Sequence, residues 1–84
     1  MQAKELMITN ADGLRASKAA MFVQVAGGFS SQIFVEKGNK KINAKSIMGV
    51  LSLGVKQGEK IYIFANGKDE QDAVTAIEKL VGSF

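Results

Sequence analysis

The sequence predicts an α+β fold in which helices pack on one face of an antiparallel sheet. Three observations carry this. Two segments, one starting at Ala16 and one after Asp69, repeat apolar residues at helical spacing. Several short segments instead alternate or are rich in β-branched and aromatic residues. Compact turn sequences, Asn10-Ala11-Asp12-Gly13, Gly38-Asn39 and Asn66-Gly67, separate them. The order is strand, helix, two strands in a hairpin, an ambiguous short segment, strand, helix. Two helices against one face of the sheet is the economical way to bury these apolar faces.

Residues 2–9 give the first strand, where Leu6 and Ile8 alternate with Met7 and Thr9. In the first helix Ala16, Ala19, Ala20, Val23 and Ala26 recur at helical spacing, and Gly27-Gly28 supplies a stop. Ile33 and Val35 alternate with Gln32, Phe34 and Glu36, and Gly38-Asn39 then turns the chain into Lys41-Ile42, with glycine placed for a type II′ turn. Ser46 precedes the apolar run from Ile47 to Leu53, which reads either as a buried strand or as a short helix capped by Ser46. Gly54 and Gly58 frame a loop before Lys60-Ile61-Tyr62-Ile63-Phe64-Ala65, which has the content of a central strand. Asp69 is placed to cap the last helix, with Glu70 and Asp72 in its first turn and Lys79 near its end. Ala73, Val74, Ile77, Leu80 and Val81 form its apolar stripe, and Gly82 can end it.

Composition narrows the function. Eighty-four residues, 46% of them hydrophobic, fit one domain over residues 1–84, and no proline, low-complexity tract or change of composition suggests a linker. With neither cysteine nor histidine, the chain has no thiol chemistry and lacks the usual transition-metal ligands, so no metal or cofactor is expected. No stretch has the length and apolarity of a signal peptide or a membrane span, and the expected setting is the cytoplasm. The net charge of +3 is mild, and the densest lysine group, Lys37, Lys40, Lys41 and Lys45, has no aromatics interleaved in sequence, so direct nucleic-acid binding is not expected. No general base, metal cluster or phosphate-binding glycine loop marks an enzyme.

One segment carries the functional signal. Asn43-Ala44-Lys45-Ser46-Ile47-Met48-Gly49 resembles the regulatory serine motif of HPr, the phosphocarrier family of bacterial sugar phosphotransferase systems. The similarity extends along essentially the whole chain, through Ser30-Ser31-Gln32, Val35-Glu36-Lys37 and the acidic start of the last helix. The resemblance implies an HPr-like open-faced β-sandwich, a four-stranded antiparallel sheet with three helices on one face, and makes the ambiguous segment a short helix after Ser46. The family carries phosphate on a histidine in Gly-Leu-His-Ala-Arg-Pro-Ala, whereas this chain reads Gly13-Leu14-Arg15-Ala16-Ser17-Lys18-Ala19. Arg15 stands at the histidine position, Ser17 replaces the arginine and Lys18 the proline. The Crh members of the family, linked to catabolite repression, also keep the serine and lack the histidine.

These substitutions bear directly on chemistry. Imidazole can be unprotonated near neutral pH and attack a phosphoryl group, whereas guanidinium stays protonated and can only bind an anion. Ser17 as a substitute acceptor would need a general base and would hold its phosphate too stably for onward transfer. Arg15, Ser17 and Lys18 are therefore either a remnant anion site at a helix start or tolerated polar residues there. Ser46 reads as a helix N-cap, and a phosphate added there would meet the positive end of the helix dipole.

A short helix cannot bury all the apolar residues from Ile47 to Leu53 on one face, so Ile47, Met48 and Leu51 are expected to join Met21 and Val25 in an exposed apolar patch. The resemblance implies that HPr kinase/phosphorylase phosphorylates Ser46 and that the phosphoprotein is a co-effector of a catabolite control repressor in transcription regulation. The partner-binding residues would be Arg15, Ser17, Met21, Lys45, Ile47, Met48 and Leu51. The alternative is a degenerate phosphotransferase-system component that competes for HPr-binding surfaces. Some relatives exchange their first strand to form homodimers, and the Asn10 to Gly13 turn could serve as the hinge here.

Overall fold

Alternation along the strands decides which face of the sheet is covered. The computed structural model describes residues 1–84, in the order β1 (Gln2–Met7), α1 (Ala16–Gly27), β2 (Gln32–Lys37), β3 (Lys40–Asn43), α2 (Ile47–Leu53), β4 (Lys60–Asn66) and α3 (Glu70–Gly82). The four strands form one antiparallel sheet in the order β1-β4-β2-β3. Its register sets Leu6 opposite Ile61, Val35 opposite Ile63 and Ile33 opposite Ala65, so one face of the pleat is continuously apolar. The helices cover that face with Ala19, Phe22 and Ala26 of α1, Val50 and Leu53 of α2, and Ala73, Val74, Ile77 and Val81 of α3. This is the expected open-faced sandwich with three helices on one side, and the run after Ser46 is helical.

The uncovered face is polar and aromatic. Tyr62 Oη donates to Glu5 Oε2 at 2.8 Å, and Lys41 Nζ lies 5.2 Å from the ring centre of Phe34 and 4.7 Å from that of Phe64. The fold thus brings lysine and aromatic side chains together that the sequence keeps apart.

Several local expectations need correction. The first strand ends at Met7, although Ile8 continues backbone pairing with the loop before β4, donating to Glu59 O at 2.9 Å. In α1 the buried stripe uses Phe22, while Ala16 and Ala20 are exposed; a methyl group loses little in water, whereas an aromatic ring drives the helix rotation. The Gly27-Gly28 stop holds, since α1 ends at Gly27 and is capped by Gly28, whereas Gly82 is the last residue of α3 and Ser83 is its cap. Leu80 is only half-buried but packs on the core.

Asp69 occupies the N-cap of α3 without capping it through its side chain. Its carboxylate instead accepts from the amides of Ser30 and Ser31, at 2.9 and 3.0 Å, and from both their hydroxyls. Glu70 serves the helix start by accepting from Gly67 N at 3.1 Å. Four donors converge on Asp69 because the turn between α1 and β2 leaves its amides without backbone partners, and charge-assisted bonds are the strong solution. Donation by the Ser31 hydroxyl, then by the Ser30 amide, holds the Asp69 carboxyl at about 2, below its ordinary 3.8.

Folding lowers this pKa, so the ionised carboxylate stabilises the fold above about pH 4 and that contribution is lost as pH falls through about 2. Asp69→Asn should therefore lower the urea midpoint at pH 7 and flatten its decline between pH 4 and pH 2. An acid decline as steep as that of the wild type would show that Asp69 does not govern it.

Candidate phosphoacceptor and partner-binding site

The connection from β3 to α2 is fixed before the helix begins. Ala44 is fully buried and donates its amide to Ile33 O at 2.9 Å. Asn43 Oδ1 accepts from Lys45 N at 2.8 Å, and Asn43 O accepts from Ser46 N at 3.1 Å, a local side-chain turn of the kind asparagine favours. Ser46 is consequently extended, with φ −105° and ψ 115°, and its Oγ accepts from Gly49 N at 3.1 Å. This is the N-cap that the sequence suggested. Gly49 packs closely here, since a Cβ there would lie 3.3 Å from Ser46 Oγ and 3.4 Å from Ile42 Cβ, and the serine side chain would have to give by a few tenths of an ångström.

Val50 and Leu53 turn α2 onto the core, leaving Ile47 39%, Met48 74% and Leu51 41% exposed. Met21, on α1 which packs beside α2, is 40% exposed. The expected apolar residues are thus at the surface on two neighbouring helices. Val25 does not join them as a free residue, because it is half-buried against the core. Lys45 is half-buried and its Nζ donates to Phe29 O at 2.6 Å, so its ammonium is occupied in tying the β3–α2 connection to the end of α1.

The start of α1 has a different electrostatic character. Arg15 is the N-cap but supplies no capping bond, and its Nε donates to Asp12 O at 3.1 Å. Ala16 follows at φ +51°, the one non-glycine residue in the left-handed region, where strain is of order ~1–3 kcal/mol. Lys18 and Ala19 donate to Arg15 O, whereas the amides of Ala16 and Ser17 have no protein acceptor. No acidic residue occupies the first turn. Arg15, exposed Ser17 and Lys18 follow one another along this helix start, with the Lys18 ammonium 5.6 Å from the centre of the Phe84 ring. Gly13 sets the position of the helix start: at φ +62°, it lies so close to the loop before β4 that a Cβ would collide with Val55 O.

The two helix starts offer different chemistry. Ser46 holds one acceptor bond, and its hydroxyl proton has no protein acceptor; transfer of phosphate to it requires a base from another protein. The α1 start has an anion-attracting field and no nucleophile able to accept phosphate and pass it on. Sequence reasoning missed Lys37, whose ammonium reaches the far end of α2, because a lysine next to a hairpin turn carries no sign of its tertiary partner.

The fold, a capping serine at the head of α2 and a chain without any histidine define an HPr-like domain that lacks an imidazole nucleophile. The chain belongs to the HPr family: residues 2–83 match the family described as PTS HPr component phosphorylation site. It is 47% identical over 77 residues to the HPr-like protein Crh of Halalkalibacterium halodurans, covering 92% of each chain. Among solved structures, it is similar to HPr-C-His from Thermoanaerobacter tengcongensis, with TM-score 0.97, 53% identity, and coverage of 99% of this chain and 93% of that one. It also resembles Crh from Bacillus subtilis, solved as an intertwined dimer with a swapped domain, with TM-score 0.78, 42% identity, and coverage of 99% and 95%. No helix is long and apolar enough to cross a membrane.

The capping role of Ser46 can be measured without any partner. Ser46→Ala should cost about 1 kcal/mol in urea denaturation, whereas Ser17→Ala, at an exposed residue that makes no side-chain bond, should stay within about 0.5 kcal/mol. Equal losses would remove the distinction between the two serines.

Proposed function

We propose that the protein is a regulatory HPr-like protein acting in the cytoplasm, phosphorylated on Ser46 by HPr kinase/phosphorylase and then binding a catabolite control repressor as a co-effector. The observation that carries this reading is the placement of Ser46: its hydroxyl caps α2 while Ile47, Met48 and Leu51 of the same helix stand exposed. A phosphate there adds about −1.5 to −2 charges at the positive end of the helix, changing the surface more than the fold. Basic groups on the repressor would pair with the phosphate, and Met21, Ile47, Met48 and Leu51 would supply apolar contact around it. Methionine suits a face that meets both kinase and repressor, because its flexible thioether adapts to different partners. Arg15 and Ser17 lie on the element flanking this face and would contribute polar contacts, while Lys45, bonded to Phe29 O, would support the face by holding the β3–α2 connection in place. The protein would act by binding, without catalysis and without carrying phosphate on α1.

The similarity to Crh proteins supports this assignment. It also supports a homodimer, since relatives were solved as dimers; exchange of β1 about the Asn10–Gly13 turn is the arrangement we infer. The alternative role, as a competitor for HPr-binding surfaces, is favoured by a family fold with Arg15 at the carrier position. Such a competitor would slow phosphotransfer from authentic HPr in proportion to its concentration, whether or not Ser46 is modified.

Incubation with HPr kinase and ATP should add one phosphate to the wild type and none to Ser46→Ala, as read by intact mass. The phosphoprotein should bind the repressor, and Met48→Ala should weaken that binding by about 1 kcal/mol or more. Failure of the genuine phosphoprotein to bind such a repressor would remove the co-effector role.

A further inference from the structure

The C-terminal end of α2 is held by a residue from another element. Lys37, the last residue of β2, donates from Nζ to Leu53 O and to Gly54 O, each at 3.1 Å, and lies 3.0 Å from Glu59 Oε1. The three hydrogens of its ammonium thus have three acceptors. Glu59 is itself fixed by accepting from Lys56 N at 2.6 Å, and that bond, with the help of Lys37, keeps its carboxyl below the ordinary range.

α2 needs this anchor. Seven residues make too few internal bonds for a helix to persist alone, and the final carbonyls of any helix lack intrahelical partners. α2 has no basic residue in its own last turn. A cation there complements the negative end of the dipole, and Lys37 supplies it from β2. Gly54, at φ +60°, closes the same end in the left-handed conformation by donating to Leu51 O.

We propose that Lys37 is a positioning residue for Ser46, holding α2 in the helical form in which the acceptor hydroxyl is presented to a kinase. The inference rests on the reading of Ser46 as the phosphoacceptor. Two charges would then act on one short helix: the Lys37 ammonium permanently at its C-terminal end, and a phosphate transiently at its N-terminal end. Both favour the helical form, so phosphorylation compensates for part of what loss of Lys37 removes. Without the ammonium, α2 frays more often, and a kinase that requires the helix meets a smaller fraction of competent protein.

The test uses the full chain with HPr kinase and ATP. Lys37→Met, which keeps the alkyl stem and removes the charge, should raise KM for the protein substrate about five- to tenfold with kcat within about twofold, because only the competent fraction falls. Amide exchange in α2 should quicken by a larger factor than KM rises, because exchange follows the ratio of frayed to helical protein whereas KM follows the helical fraction, and it should quicken more in the unmodified protein than in the phosphoprotein. Lys37→Arg should restore most of the KM. Ile77→Val, which loosens the core under α3, serves as the control for a general loss of stability and should leave KM unchanged. An unaltered KM in Lys37→Met, or an equal change in Ile77→Val, would overturn the positioning role while leaving Ser46 as the acceptor. Absence of phosphate on the wild type would instead overturn the reading of Ser46, and the positioning role with it.

Discussion

A seven-residue helix lying on a sheet has no stability of its own to spare, and the arrangement of this molecule around α2 follows from that constraint. Its N-terminal end is closed by the Ser46 hydroxyl and by the Asn43 turn that precedes it. Its C-terminal end is closed by Gly54 and the Lys37 ammonium. Only Val50 and Leu53 are fully turned onto the core, so Ile47, Met48 and Leu51 each keep part of their apolar surface outward. The exposed methionine and aliphatic residues are therefore a geometric consequence of a short helix set on the sheet by its ends. A phosphate at Ser46 would arrive where one of those ends is already organised around an oxygen atom.

The start of α1 lacks such closure. Arg15 turns its Nε onto the Asp12 carbonyl, Ala16 is held in the left-handed region, and two amides are left without acceptors. The loop is nevertheless kept in place by the close approach of Gly13 to Val55 and by the burial of Leu14. The helix start is thus held in a defined geometry in a chain that has no imidazole. A guanidinium is a planar cation that donates hydrogen bonds and accepts none, so this position offers attraction to an anion and no route for phosphoryl relay.

Strand and helix order was legible because alternation along β2 and β4 and the stripe on α3 are strong periodic signals, and because turn residues separate the elements. The helical state of residues 47–53 was not legible from pattern, since a short apolar run suits strand and helix equally; the family resemblance decided it. The choice among exposed and buried alanines in α1 failed because packing against the sheet selects Phe22, which composition alone does not rank. Asp69 was placed correctly and assigned the wrong bonds, since its partners Ser30 and Ser31 lie almost forty residues earlier. Lys37 was read only as one of a dense lysine group and Lys45 as a partner contact, and only the tertiary fold shows that each ammonium ties the chain near one end of α2. Local signals thus revealed elements and the capping serine, whereas the contacts that hold the serine in place join residues distant in sequence.

The proposed function separates two phosphoryl routes within one fold, with Ser46 open to a kinase and Arg15 closed to the relay. The most direct test offers the purified protein labelled phosphoryl groups from two donors in parallel, ATP with HPr kinase and phosphoenolpyruvate with the first enzyme of the relay, and maps the label by peptide mass. Label from ATP on Ser46 alone, with none from phosphoenolpyruvate, is the predicted result. Label from phosphoenolpyruvate at Ser17 or elsewhere on α1, or failure of ATP to label Ser46, would contradict it.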